Sequence, residues 1–541
     1  MNNTQSLGAS VSRHTPMSMS ETLSQRQIVL VMAGLMLGML LAALDQTIVG
    51  TAMPRVIADL NGLEHYAWVF TAYLLASTVV VPIYGKLSDI YGRRIFFIGG
   101  MVLFLLGSAL SGMSQDMTQL IVFRAIQGLG AGAMMPIAMA IIGDLFPPAE
   151  RGKWQGLMTA VFGLATIIGP AAGGWITDNW GWRWVFYVNM PFGALAIIAA
   201  GLTLPQHSRH SAHKIDYLGA ITLVAGTVPL LLAFSWAGSQ YAWGSAPIIG
   251  LIAFALMMLA AFVWVETRAA EPIINPRFFK NSIFTISIVA TFLLSVGMFG
   301  VMLYLPLFVQ AVIGISATNS GAVLTPMMIG FMFSSIVGGQ IMSRTGRYKF
   351  LAIGGFAAAA LGMGLLAQMD ITATEWLIAR NMIVVGLGLG ATMSLFTIIV
   401  QNAFPFSELG QVTASLTFFR SIGGTIGAAI LGSIMINQFQ SLLTANMPVA
   451  LKQAIPADKL AAFQNPQVLM SPAAMVKLQQ SFAAFGSQGQ TLFEQLMQAI
   501  RVSLGSAIIE LYWVGVGAMV LALVVTLFLK EIPLRKSHRI S

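Results

Sequence analysis

The sequence contains no cysteine and little charge. Without a thiol it can build no disulfide scaffold, no thiolate metal site and no cysteine nucleophile. Charged residues fill 9% of the 541 positions, whereas a soluble domain runs at about 25%. That scarcity excludes a soluble enzyme, a disordered chain and a nucleic-acid-binding protein. The net charge of +9 is therefore no footprint for DNA or RNA. Histidine is also scarce, with 6 copies, and His207, His210 and His213 share one hydrophilic stretch. Their i, i+3 spacing suits a metal, but a solvated loop is the simpler reading. No cofactor is expected.

Apolar residues are plentiful: 57% of the chain is hydrophobic and the mean hydropathy is +0.80. A helix crossing a bilayer needs about 20 apolar residues in a row. Here the apolar runs are continuous rather than alternating, which excludes a porin-like barrel. Broken by short polar loops, they predict fourteen spans, the first near 28–53 and the last near 504–529. An even count puts both termini on one side. Most of the 28 Lys and Arg fall in the loops that share that side, among them Lys86, Arg93, Arg94, Arg151, Lys153, Arg344, Arg347 and Lys349. The short loops opposite hold Arg55 and Arg183. The positive-inside rule then places both termini in the cytoplasm. Topology setting and contact with anionic lipid are sufficient to explain the excess positive charge.

Residues 1–27 carry no signal-peptide pattern and read as a disordered cytoplasmic tail. Segment 437–503 is rich in Gln, Ala, Leu and Met and reads as one or two amphipathic helices on the outer leaflet. A weak repeat relates GKLSDIYGRR (85–94) to GQIMSRTGRYK (339–349), and RAIQGLGAG (124–132) to RNMIVVGLGLG (380–390). It predicts an all-α membrane protein with two six-helix bundles, 28–204 and 283–541, and two inserted helices in 205–282. Duplicated halves around a midplane cavity point to a transporter. The chain has no GxxxxGK[ST] phosphate loop, so an ion gradient rather than ATP is the expected energy source.

Few charges fall inside the spans, and those few are informative. Asp45 lies deep in the first, within LDQTIVGTAMP (44–54). An ionisable group in lipid is costly and marks function by default; the alternative is a structural carboxylate bonded to a neighbouring helix. In the fourth span Arg124 and Gln127 share a face, and Gly128 and Gly132 allow close helix approach. Arg124 needs either a carboxylate or backbone carbonyls as its partner. Between the second and third spans, Gly85 and Gly92 permit tight packing and a turn around Asp89. Lys86, Arg93 and Arg94 flank that carboxylate, which can pair with a guanidinium or face a helix N-terminus. In GPAAGG (169–174), Gly169, Gly173 and Gly174 suit close packing and Pro170 a kink.

These segments resemble motifs of the major facilitator superfamily, in particular of its fourteen-span drug:proton antiporters. Gly85, Lys86, Asp89, Gly92, Arg93 and Arg94 match motif A, LDQTIVGTAMP motif D1, RAIQGLGAG motif B and GPAAGG the antiporter motif C. WRWVFYVNMPFG (182–193) and RSIGGTIGAAILG (420–432) also resemble signatures of that subfamily. The resemblance implies the superfamily fold and a cytoplasmic latch at motif A. It also implies a proton carrier at Asp45, coupled to Arg124. The pattern is broken where Ser343 replaces the acid in the second copy of motif A, and where Ala165 replaces a glycine upstream of motif C. The second latch should be weaker or differently made.

The expected function is export of hydrophobic or amphipathic compounds against inward proton flow, as in multidrug efflux; export of a lipid, a siderophore or a self-made antibiotic is the other reading. Tyr73, Tyr304 and Phe308 are candidate cavity residues because their spans line the cavity in that family. Glu510, in the last span, is a candidate substrate or proton contact, or else a headgroup-level residue. The 33 Met and 33 Phe suit a promiscuous pocket and equally a lipid-facing surface. The expected partners are the bilayer, small amphipathic substrates and protons, with no nucleic acid. A monomer in a bacterial plasma membrane is the expected setting.

Overall fold

The computed structural model describes residues 24–60, 66–204, 215–238, 240–313, 324–448, 479–480, 482 and 488–535. Fourteen of its helices are long and apolar enough to cross a membrane. The physical reason is that hydrocarbon offers the backbone no partner, so each run must satisfy its own N–H and C=O groups as a helix. In the first half these are α1 (Gln25–Leu60), α2 (Tyr66–Tyr91), α3 (Arg93–Met113), α4 (Met117–Leu145), α5 (Pro148–Trp180) and α6 (Asn189–Thr203). One helical turn, Trp184–Tyr187, leads into α6. Then come α7 (Tyr217–Trp236) and α8 (Ala246–Glu266). The second half holds α9 (Ser282–Phe308), α10 (Thr325–Thr345), α11 (Lys349–Ala367), α12 (Glu375–Ala403), α13 (Leu409–Asn446) and α14 (Gly489–Leu527).

Local chemistry sets the ends. The Asp116 carboxylate accepts Gln119 N–H at 2.8 Å and caps α4. Asp216 caps α7 through Gly219 N–H at 2.7 Å. Gly92, at φ 99°, makes the break between α2 and α3 in a region that costs a side chain dearly.

α1 to α6 pack on one another around Phe97, Phe104, Met134 and Ile137, and α9 to α14 around Phe284, Phe356, Met363 and Phe396. The halves meet chiefly through α5 with α10 and α2 with α13, and also through α4 with α13 and α5 with α12. The inserted pair, α7 and α8, packs together, and α7 lies against both α2 and α13. Leu223, Leu231 and Phe262 of that pair share a buried cluster with Val81, Ala414 and Phe418.

Hydropathy misplaces the last helices. α13 runs on to Asn446 and α14 starts at Gly489, so FEQLMQAIRVSL belongs to α14 rather than to a separate surface helix. Asn446 donates to Ser503 Oγ at 3.2 Å, tying the two extensions together. An apolar window reports only the part of a helix that suits lipid; intrahelical hydrogen bonds carry the helix further. Residues 1–23, the stretch holding His207, His210 and His213, and 449–478 within segment 437–503 lie outside the described residues.

Candidate functional site

The core of the first half holds a polar cluster assembled from α1, α2, α3, α4 and the start of α6. Asp45 and Arg124 are each 1% exposed, and Arg124 Nη1 lies 2.5 Å from Asp45 Oδ2. Asp45 Oδ1 accepts from Gln127 Nε2 at 2.8 Å and from Asn189 Nδ2 at 3.1 Å. Arg124 Nη1 also donates to Gln127 Oε1 at 2.7 Å. The i, i+3 spacing on α4 thus delivers two donors to one carboxylate. The Arg124 guanidinium lies 4.2 Å from the centre of the Tyr73 ring, a cation–π contact worth about 2 kcal/mol when desolvated. Asn189 Nδ2 also donates to Ser108 Oγ at 3.0 Å, and Ser108 donates to Phe186 O at 2.9 Å.

Asn189 and Ser108 were missed by the sequence reading. The signal was a single amide within WRWVFYVNMPFG, whose only charge is Arg183 and which has no helical spacing relative to Asp45. Gln127, read only as a packing residue, bonds directly to Asp45. The second half does not copy the arrangement. Arg380, the repeat partner of Arg124, is exposed and bonds to Asn381 Oδ1 at 3.0 and 3.1 Å.

The α2–α3 loop forms a second cluster. Asp89 accepts from Gly410 N–H at 3.1 Å and Gln411 N–H at 2.7 Å, at the N-terminus of α13. A carboxylate there meets unpaired N–H groups and the positive end of the helix dipole. Arg93 pairs with Asp89 and also with Asp144, Nε to Oδ2 at 2.9 Å. Arg93 Nη1 further donates to Ser88 Oγ at 2.8 Å. Lys86 pairs with Glu271 at 2.6 Å, in the segment leaving α8. Arg94 Nη1 donates to Leu204 O at 3.1 Å. A Cβ on Gly85 would strike Ala414 and Gly410 O, so this glycine sets the approach of α2 to α13.

The repeat copy at α10 works through backbone contact instead. Gly339 and Gly152 of α5 face each other so closely that a Cβ on either would strike the other's carbonyl oxygen. Ser343 Oγ lies beside Gly152, buried and with no hydrogen-bond partner among the described residues. At the same end Gln401 of α12 donates to Met139 O at 3.1 Å and accepts from Arg151 Nη1 and Gln155 Nε2 at 3.2 Å. The two halves are therefore bonded together at the end that carries the α2–α3 loop.

The glycines of α4 and α5 divide by face. Gly128 meets Tyr73 O and Gly132 meets Ser77 O across α2, while Gly169 and Gly173 meet Thr47 and Thr51 across α1. Pro170 lies inside α5. Gly174 faces open space and packs against nothing, because it stands one residue past Gly173, about 100° further round the helix.

Between the halves lies a cavity of ≈ 190 Å³ lined by α1, α2, α4, α5, α9 and α13. Tyr73 lines it. Tyr304 and Phe308 line neither this cavity nor a second one of ≈ 340 Å³ between α2, α9 and α13. Phe308 is fully buried in the core of the second half, and Tyr304 sits in the same core with its hydroxyl donating to Ala428 O at 3.3 Å. Apolar composition is nearly uniform around α9, so the sequence could not assign its inner face. Glu510 is exposed and bonds to Gln438 on α13; it lines neither cavity.

A family model described as Major Facilitator Superfamily matches residues 35–428. The chain is 41% identical over 530 residues to the "Multidrug transporter protein MdtP" of Bacillus subtilis, covering 96% of each chain. It is 44% identical over 424 residues to "Multidrug resistance protein 3" of the same organism, covering 78% of this chain and 82% of that one. Among solved structures it superposes on the proton:xylose symporter XylE with a TM-score of 0.59 at 14% identity, covering 94% of this chain and 97% of that one. At that identity the likeness concerns the fold alone.

Proposed function

The chain belongs to the major facilitator superfamily, and on that premise we propose that it is a proton-coupled multidrug exporter working by alternating access. It is a multi-pass membrane transporter, not an enzyme. Its substrates are hydrophobic or amphipathic compounds taken from the cytoplasm or inner leaflet. The proposed setting is a bacterial plasma membrane, with both termini cytoplasmic and the chain acting as a monomer.

The observation that carries the reading is the Asp45–Arg124 contact in the core of the first half. Asp45 is the proposed proton carrier. Protonating it removes the charge that holds Arg124 and loosens the contacts of α1 with α4 and α6. With the termini inside, the α2–α3 loop is cytoplasmic, and the Asp89–α13 latch is closed on that side. Each inward proton supplies about 2.3 kcal/mol per 100 mV of membrane potential, before any pH term.

The test begins with a drug-susceptibility screen of cells expressing the chain. Compounds to which it gives resistance are then offered to reconstituted vesicles with an imposed pH gradient. Gradient-dependent uptake into inside-out vesicles is the expected result. Uptake that is indifferent to the gradient for every such compound would end the proton-coupling reading.

A further inference from the structure

The three buried arginines among the described residues have their charge or donors met by protein. Arg93 and Arg124 pair with carboxylates, and Arg151 donates to Gly143 O at 2.7 Å and Phe146 O at 2.8 Å. Arg420 on α13 differs. Its one hydrogen bond among the described residues runs from Nη2 to Met135 Sδ at 3.4 Å, and a thioether is a weak acceptor. Among the described residues it forms no ion pair. It lines the cavity between the halves and, among the described residues, is the only charged one that does. Arg420 is half-buried, and a guanidinium partly withdrawn from water without a counter-charge makes this cavity favour an anion and oppose a second cation.

A second cavity of ≈ 340 Å³ adjoins the first, and Leu74, Phe299 and Thr425 line both. It lies between α2, α9 and α13 and is walled by Leu231 and Phe234 of the inserted helix α7. Among the described residues no charged one lines it. The adjoining cavities therefore present one cationic end and one apolar end.

We propose that the two cavities form one bipartite site for a single-chain anionic amphiphile, with its acidic head on Arg420 and its alkyl tail in the annex walled by α7. The proposal rests on the export reading for its biological sense but not for its test. It also gives the inserted pair a role, as the wall of the tail pocket. The ligand chemistry is shared by free fatty acids and by single-chain phospholipid heads, so both are probed.

The experiment is equilibrium binding of radiolabelled dodecanoate, lysophosphatidate and dodecylamine to the full chain in nanodiscs of zwitterionic lipid, with empty discs subtracted. No gradient is applied. Saturable binding of dodecanoate or lysophosphatidate, at least tenfold tighter than dodecylamine, is expected. The tighter of the two anions identifies the source. Arg420→Gln should weaken the anion at least tenfold, Arg420→Lys should restore much of it, and Leu231→Trp should weaken the long-chain anion while leaving butyrate unchanged. Dodecylamine binding as tightly as the anions, or Arg420→Gln and Leu231→Trp both binding like the parent, would overturn the site. Each variant is first checked for a single monodisperse species, and Arg420→Lys decides the head-group assignment if Arg420→Gln does not fold. Saturable anion binding by a chain that shows no gradient-driven transport would sink the export reading and leave the site standing. Transport without anion binding would do the reverse.

Discussion

Arg124 Nη1 reaches Asp45 Oδ2 at 2.5 Å in a place where neither side chain meets solvent. Taking both charges out of water is expensive, and their attraction repays the cost only when the remaining donors and acceptors are filled. Here they are filled in large part, by Gln127 and Asn189 on the carboxylate and by the Tyr73 ring against the guanidinium. A proton arriving on Asp45 would undo that balance at one atom. Asp45→Asn should therefore abolish gradient-driven export while the protein still folds, since the amide keeps an acceptor for Gln127. Initial uptake rates in vesicles, with and without a pH gradient, check this; a wild-type rate in the variant would refute the coupling role.

Asn189 bridges Asp45 and Ser108. Asn189→Leu should leave one carboxylate lone pair and the Ser108 hydroxyl short of a partner. An unsatisfied buried group costs about 1–3 kcal/mol. A lower unfolding temperature in detergent is expected, together with reduced transport. An unchanged midpoint would show that the amide adds little to the cluster.

The latch can be opened in two independent ways. Asp89→Asn removes the charge that meets Arg93 and the α13 N-terminus, where hydrogen bonds to a charged group are worth about 1.5–3 kcal/mol each. Gly85→Val adds bulk against Ala414 and Gly410. Both should lengthen the spin-label distance between the α2–α3 loop and the start of α13, and both should lower transport. If the distance distribution is unmoved in both, this contact does not hold the halves together.

Neighbouring glycines in α5 should behave oppositely. Gly173→Val drives a side chain into Thr51 and Ile48, whereas Gly174→Val enters open space. Overpacking costs about 1–3 kcal/mol. Gly173→Val should lower the unfolding temperature and Gly174→Val should not; equal effects would mean that the α1–α5 contact is not the reason for the pair.

The same contrast separates what sequence patterning reveals from what it hides. Both glycines carry the same motif signal, but only their rotation about α5 decides which one touches α1. Likewise Asp89 could be read as a helix-end carboxylate from its neighbours, whereas its partners Gly410 and Gln411 lie more than three hundred residues away. The replacement of its repeat counterpart by Ser343 foretold a differently made second contact, and that contact is the Gly152–Gly339 approach.

Residue pattern alone was enough to find fourteen helices long and apolar enough to cross a membrane, and to single out Asp45 and Arg124 as the charges to watch. Both follow from the bilayer's intolerance of unpaired polar groups, which writes itself into every run of residues. It took the packed helices to show that Asn189 and Ser108 complete the Asp45 cluster, that Phe308 is core rather than cavity, and that Arg420 faces the cavity with no carboxylate beside it among the described residues. Those depend on which face each helix presents to its neighbours, and in helices apolar almost all round the sequence carries too little contrast to say.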